Sequence, residues 1–322
     1  MLIANSKTKT HIDARNYNPK LEGSDVLFCP SCQEPVFYKQ GKVKLSHFAH
    51  YSNTNCSSFS EGETYEHLAC KDFLKEWSKS GQLEAYLPEL HQRPDILYKN
   101  IAIEVQCSML AIERYLERTR NYLAHGYLPW WLLGEKLSPK NKFGNLQKAA
   151  SYYHPKSGFH LWLSKAKQKE IWLLYHIRWH YQVGFFYRLK KWKTHDLPLF
   201  KLFKVLPSKQ PSFVWKPEQY RLFIYKKLGQ KQVKTVRLQE KLYTLGGSFQ
   251  NLPDWCYQSS YYQFFFEDEL LFLRFCYLKT GSFSQWLKKI KYLEHSWLYP
   301  FASQKAILQA IYIECQKLAG NG

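Results

Sequence analysis

A helix, a β-hairpin, a second helix and a further strand follow one another within about eighty residues of this chain, an interleaving that predicts an α/β fold. A Cys/His-rich stretch precedes this run, and a long basic, aromatic stretch follows it. Those three observations divide the 322 residues into a β module at 1–58, an α/β core at 59–150 and a basic, mainly helical domain at 151–322. A hydrophobic fraction of 45% with 22% charged residues is that of a soluble globular protein. The opening "MLIANSKTKTHID" lacks the apolar core of a secretory signal, and no apolar run is long enough to span a bilayer. The expected location is cytoplasmic, with no membrane span.

In the first module, "MLIAN" and "HIDARN" are placed to pair across the polar "SKTKT", and short strands are expected around the turns of "VLFCPSCQEPVFYKQGKVKLSHFAH". The C-x-x-C of Cys29 and Cys32 brings two thiolates together, and His47, His50 and Cys56 follow closely. Zinc completes a tetrahedron with two more soft or borderline donors, so four of these five residues are expected to hold a structural zinc ion. A unit this small also gains much from a metal staple. The alternative is a redox C-x-x-C, for which a thioredoxin-like βαβ context is missing. The eight cysteines otherwise lie scattered in apolar surroundings, which fits a reducing compartment rather than a disulfide scaffold.

The core opens on "SEGETYEHLACKDFLKEW", where Ser60 and Glu63 have capping-box spacing, and a helix is predicted over 61–79. Glu66, Cys70, Phe73 and Trp77 share one stripe of that helix, so Glu66 belongs to the side that should face a sheet. His67 neighbours the stripe, where a histidine more often serves structure. Next comes "HQRPDILYKNIAIEVQC", an apolar hairpin with one carboxylate in each arm. With Lys99-Asn100 as a two-residue turn, Asp95 directly faces Glu104. Like charges at that spacing destabilise a sheet unless something compensates. A divalent cation, Mg²⁺ or Mn²⁺, is the simplest compensation, with Gln106 two residues on and on the same face. The alternative is a solvated surface pair, accompanied by Arg93 or Lys99. A helix over "IERYLERTRNYLAHG", ending at Gly126, and a strand in "LPWWLLG" complete the core.

The last segment carries most of the net charge of +20. Residues 1–60 contribute +3, residues 61–150 are neutral, and residues 151–322 hold 27 Lys/Arg against 10 Asp/Glu. A field of that sign concentrates polyanions, foremost nucleic acid. "YRLKKWK", "IYKKLGQKQVKTVR" and "WLKKIKYL" interleave cations with aromatic or apolar residues, as surfaces that bind unpaired strands with little sequence specificity do. About half of these aromatics are needed for a core. A merely solubilising surface, or a helix lying on a membrane, are the alternatives. Spacings near three and four predict helices in "LSKAKQKEIWLLYHIRWHYQVGFFYRLKKW" and "DELLFLRFCYLKTGSFSQWLKKIKYL". Prolines 198, 207, 211 and 217 mark a linker-like break.

"RPDILYKNIAIEVQCS" resembles the P-D-x(n)-(D/E)-x-K signature of restriction-endonuclease-like nucleases, with Pro94-Asp95, Glu104 and Gln106 in the lysine position. The ordered run "CPSC", "HFAHYSNTNC", "EGETYEHLACKDFL", "IEVQCS", "ERTRNYL" and "GYLPWWLLG" is similar to the bacterial competence protein CoiA family over roughly the first 150 residues. The resemblance implies a zinc-finger-like N-terminal module, a nuclease-like core, and handling of incoming DNA for recombination during natural transformation. It implies that Asp95 and Glu104 hold Mg²⁺ or Mn²⁺, that Gln106 helps place the attacking water, and that Glu63 or Glu66 assists from the helix. Arg118 and Tyr122 then approach the phosphate. Lys71 is the nearest substitute for the positive charge that Gln106 lacks. The reaction implied is metal-dependent hydrolysis of DNA phosphodiesters. A DNA-binding recombination accessory without catalysis, and an adaptor for a recombinase, are the two other readings.

Overall fold

The computed structural model describes residues 1–21, 26–41, 45–51, 56, 64–291 and 297–320. The chain forms two compact units, the first holding residues 1–138, 161–173 and 189–205 and the second holding 139–160, 174–188 and 206–322.

The first unit begins with a five-stranded antiparallel sheet in the order β2-β1-β3-β4-β5. Its strands are β1 (Ile3–Asn5), β2 (His11–Asp13), β3 (Leu27–Phe28), β4 (Pro35–Lys39) and β5 (His47–His50). The predicted pairing of the first two segments is present, with Ile3 opposite Asp13 and Asn5 opposite His11. Met1, Ala4, Leu27, Val36 and Phe48 form the small core of this sheet together with Cys29 and Cys56, so the cysteine cluster is part of the packing.

Helix α1 (Tyr65–Ser78) follows. Thr64 is its N-cap, the hydroxyl accepting the His67 N–H at 3.2 Å, so the described helix starts later than the predicted residue 61. Ser60 and Glu63 lie outside the described residues. Cys70, Phe73 and Trp77 are buried, as the stripe requires, and Glu66 is half-buried. Strands β6 (Gln82–Leu83), β7 (Ile96–Tyr98) and β8 (Ile101–Gln106) run antiparallel to one another, helix α2 (Ile112–Ala124) crosses over, and β9 (Leu128–Leu133) lies parallel to β8. Gly126 has φ of 79°, a left-handed conformation that stops α2 and turns the chain into β9. The Trp130, Trp131, Leu132 and Leu133 run of β9 is almost wholly buried, the continuous apolar pattern of a strand covered on both faces.

Beyond β9 come α3 (Asn145–Ala149), β10 (Tyr152–His154), β11 (Gly158–Lys165), β12 (Glu170–His180), β13 (Gly184–Lys193) and α4 (Leu199–Leu202). In the first unit the sheet continues in the order β6-β7-β8-β9-β11-β12-β13. The helix predicted across 163–192 is therefore replaced by strands, and the mainly helical part of the chain begins only near residue 199. Burial explains the error. From Leu173 to His180 every residue of β12 is buried, so the strand shows no period-two alternation, and the turn at Ala166–Gln168 adds lysines that imitate helical spacing.

The second unit contains α5 (Pro217–Gly229), α6 (Val233–Thr244), α7 (Gln263–Phe266), α8 (Leu270–Leu278), α9 (Phe283–Lys289) and α10 (Gln304–Gly320). The predicted helices within 268–293 are α8 and α9. Arg274 of α8 is buried, and its two terminal nitrogens are paired: they donate to the Cys256 and Gln258 carbonyls at 2.8 and 2.6 Å and to Glu314 of α10 at 2.6 Å. Among the described residues no helix is long and apolar enough to cross a membrane.

His160, also in the second unit, stacks on Tyr152, and its Nδ1 lies 3.1 Å from the Gly158 carbonyl. Burial, assisted by His154 and His176, lowers its pKa to about 4. The unfolded chain takes up a proton near the ordinary histidine value of about 6.5 while the folded chain stays neutral, so stability is full above that pH and declines toward pH 4. The His160 share of that decline should be on the order of 3 kcal/mol. Denaturant titrations at neutral and acid pH should show it, and His160→Gln should flatten it.

Candidate functional site

The knuckle of the first unit folds around Cys29, whose N–H donates to the Glu34 carbonyl at 2.9 Å while Gln33 turns through a φ of 60°. Cys29, Cys32, His50 and Cys56 come together so that one donor atom from each lies within 4.8 Å of all the others. Cys32 Sγ and His50 Nε2 are 3.3 Å apart. Ligands at a zinc–sulfur distance of about 2.3 Å form a tetrahedron with edges of about 3.8 Å, so three sulfurs and one imidazole at this spacing fit such an ion with little movement. Burial, together with Arg93 and the chain amine, lowers the His50 pKa and keeps the ring in the neutral form that a metal needs. Burial and the neighbouring Cys29 and Cys56 thiols push the Cys32 thiol up to about 12, so a metal must displace its proton. His47 is not in the group. It lies three residues from His50 on the same strand, which sends the two rings to opposite faces, and its Nδ1 sits 2.9 Å from the Leu45 carbonyl.

The second cluster sits where β7 meets β8. Their register pairs Ile96 with Ile103 and Tyr98 with Ile101, and one step further sets Asp95 beside Glu104, as the two-residue turn predicts. Both carboxylates are buried, at 6% and 3% exposure. The solvated-pair alternative is thereby removed, and the question becomes what neutralises them.

Two helices do so. From α1, His67 Nε2 lies 3.1 Å from both Asp95 oxygens and Lys71 Nζ lies 3.4 Å from Oδ1, while the Val105 N–H donates to Oδ2 at 2.7 Å. Burial alone would raise the Asp95 pKa, but His67, Lys71 and the Val105 N–H outweigh it and hold the group below the ordinary carboxylate range. From α2, Arg118 and Tyr122 donate to Oε1 of Glu104 at 2.5 and 2.6 Å. Burial and the Asp95 charge prevail at Glu104, whose pKa is raised despite Arg118. Two adjacent carboxylates thus have their affinities for protons driven apart.

The other predicted residues are placed as follows. Gln106 donates its amide to the Ser108 carbonyl at 2.9 Å, and Glu66 accepts the Glu135 N–H at 2.5 Å at the end of β9. Lys71 is buried, with its amine 2.5 Å from Glu84 as well as beside Asp95. Glu84 is the residue that sequence reasoning missed. Almost fully buried, it accepts the Leu2 and Ile3 N–H groups at 2.9 and 3.1 Å, binds Lys71, and lies 3.6 Å from Arg93. It thus joins the first strand of the chain to the charge network under Asp95. Nothing in "GQLEAYL" signals this, because the partners come from three other segments.

Purified protein should contain one zinc per chain by elemental analysis. Cys32→Ser or His50→Ala should remove it and lower the melting temperature, whereas His47→Ala should retain it. Glu84→Ala removes the buried carboxylate shared by Lys71 and Arg93 and should destabilise the protein by about 3 to 5 kcal/mol in chemical denaturation.

Comparison with known proteins places these clusters in a family. A family model described as "Competence protein CoiA, N-terminal domain" matches residues 11–59, and one described as "Competence protein CoiA, nuclease-like domain" matches residues 63–207. A curated relative, "Competence protein CoiA" of Bacillus subtilis (strain 168), is 31% identical over 158 residues, which are 47% of this chain and 40% of that protein. The chain thus matches less than half of that relative's length. No solved structure matches significantly. The two family models together span more than half of the 322 residues and include both the cysteine cluster and the carboxylate pair, and the chain belongs to the competence protein CoiA family.

Proposed function

We propose that this protein handles DNA during competence through a restriction-endonuclease-like core that hydrolyses phosphodiesters with a divalent metal ion. The observation that carries the proposal is the pair of buried, directly facing carboxylates, Asp95 and Glu104, at one end of a β7–β8 hairpin. The order helix, three antiparallel strands, helix, parallel strand from α1 to β9 supports the same reading, as does the nuclease-like family match. In this proposal residues 1–58 form the zinc-bound module, 59–150 the nuclease-like core and 151–322 a basic DNA-binding region.

Both donors to Glu104 go to Oε1, which leaves the lone pairs of Oε2 for a metal ligand. Asp95 and Glu104 would hold Mg²⁺ or Mn²⁺, which would polarise the scissile phosphate and lower the pKa of a bound water. The chain's own residues do the rest. Lys71 and His67 keep Asp95 ionised, and the Val105 N–H fixes its orientation. Tyr122 and Arg118 hold Glu104 in place, and the partly exposed Arg118 guanidinium carries positive charge toward an approaching phosphate. Gln106 is neutral and positions water or phosphate only through hydrogen bonds. The zinc cluster, with four protein donors, has no open position for substrate and is structural.

One observation favours a second reading, a DNA-binding recombination accessory or recombinase adaptor without hydrolysis. Asp95 is already engaged at both oxygens, and Gln106 supplies none of the charge that a lysine would.

Labelled single-stranded, duplex and branched DNA incubated with the protein in Mg²⁺, Mn²⁺ or EDTA separates the two. Metal-dependent products should appear, and Asp95→Asn or Glu104→Gln should reduce cleavage by at least about a hundredfold with DNA affinity retained. Intact DNA under every condition, with binding preserved, would leave the accessory reading.

A further inference from the structure

The first unit holds a concavity at the turn end of the β7–β8 hairpin, the end opposite the carboxylates. It encloses about 960 Å³ between the end of α1, the Lys99-Asn100 turn, the start of β9 and the segment 194–204. Cavities of several hundred Å³ are the size that takes a nucleotide-sized ligand.

Its lining is chemically lopsided. Lys79, Lys99, Lys201 and Lys204 are all exposed on it, and among the described residues none has a carboxylate partner. Asp196, the one acidic residue among the described residues of the lining, accepts the Lys193 N–H at 2.8 Å and lies 3.5 Å from His195. Tyr98 and Phe200 stack face to face at 4.0 Å with their planes 14° apart, both half-buried, and the Lys99 amine sits 5.6 Å from the Tyr98 ring. Leu128 and Leu197 are exposed apolar residues beside them. Trp77 closes the floor, its indole N–H held by the Leu197 carbonyl at 2.7 Å.

Four cations around aromatic and apolar surfaces match a ligand with repeating negative charge and planar faces. Those faces must be free, because paired bases in a duplex present only their edges and backbone. The concavity also lies at the far end of the strand that carries Glu104. Ile101 lines it, and Glu104 is three residues on, about 10 Å at the rise of a β-strand.

We propose that this concavity binds a segment of single-stranded DNA, with its phosphates on Lys79, Lys99, Lys201 and Lys204 and its bases against Tyr98 and Phe200. This inference rests on the DNA-handling reading above and adds to it a strand-holding site separate from the carboxylates. The bound strand is anchored beside the nuclease-like site instead of being held there by the metal ligands.

The test uses the full chain and short fluorescent oligothymidine, read by anisotropy over a range of salt. Combined Lys99→Glu, Lys201→Glu and Lys204→Glu should weaken binding at least tenfold. It should also lower the slope of log affinity against log salt by about 2, since each phosphate of a single strand that a lysine no longer neutralises removes about 0.7. Phe200→Ala should weaken binding between about fivefold and a hundredfold, as removal of one stacking platform does. The charge reversals lie on exposed side chains, so an unchanged melting temperature establishes that the variant is folded. Unchanged affinity and salt slope in the triple variant, with wild type binding DNA, would overturn the groove and leave the DNA-handling reading intact. No binding of DNA by wild type would overturn both. Tighter binding of duplex than of oligothymidine, or of oligouridine in place of oligothymidine, would also overturn the assignment.

Discussion

Two carboxylates that face each other across an antiparallel strand pair, both shielded from water, repel strongly unless positive charge is brought to them, and the first unit is arranged around meeting that demand. Asp95 takes its compensation from α1, through His67 and Lys71, and Glu104 takes its own from α2, through Arg118 and Tyr122. Each helix thus has to pack at one height and rotation on the sheet. A buried charge left alone costs several kcal/mol, and an arrangement in which every charge is matched confines the backbone as strongly as apolar packing does. Lys71 itself needs a second partner, and Glu84 provides it while also accepting the first two backbone amides of β1. The start of the chain is bound in this way to the floor of the carboxylate site.

The cysteine cluster obeys a different constraint. Five short strands enclose few large side chains, and Cys29 and Cys56 take core positions beside Phe48 and Val36. Three sulfurs and a neutral imidazole in contact make an arrangement that is poorly satisfied without an ion and well satisfied with one. Arg93 acts on both clusters: it lies 3.6 Å from Glu84, and its charge helps to keep His50 neutral. Neutral His50 and ionised Asp95 therefore belong to one electrostatic environment within the first unit.

Local rules made much of this legible. The C-x-x-C spacing, the Lys99-Asn100 turn and the 3.6-residue stripe of α1 are short-range patterns, and each places its residues without knowledge of the rest of the chain. The register that opposes Asp95 to Glu104 follows from turn length alone. The error over 163–192 arose for the same reason: a strand covered on both faces carries no alternation, and lysines in a tight turn supply false helical spacing. Both cases depend on whether local patterning survives burial.

The sequence by itself determined the α/β class of the core, the hairpin with its two carboxylates, and five candidate donors for a metal. Tertiary structure decided which four donors converge, because β5 sends His47 and His50 to opposite faces. It also decided what neutralises the carboxylates. Their partners lie on helices up to 28 residues away from Asp95 and 18 away from Glu104, and Glu84 reaches amides 82 and 81 residues distant. Spacing along a chain fixes only what one helix turn or one hairpin can bring together, whereas compensation of buried charge is settled by packing between segments.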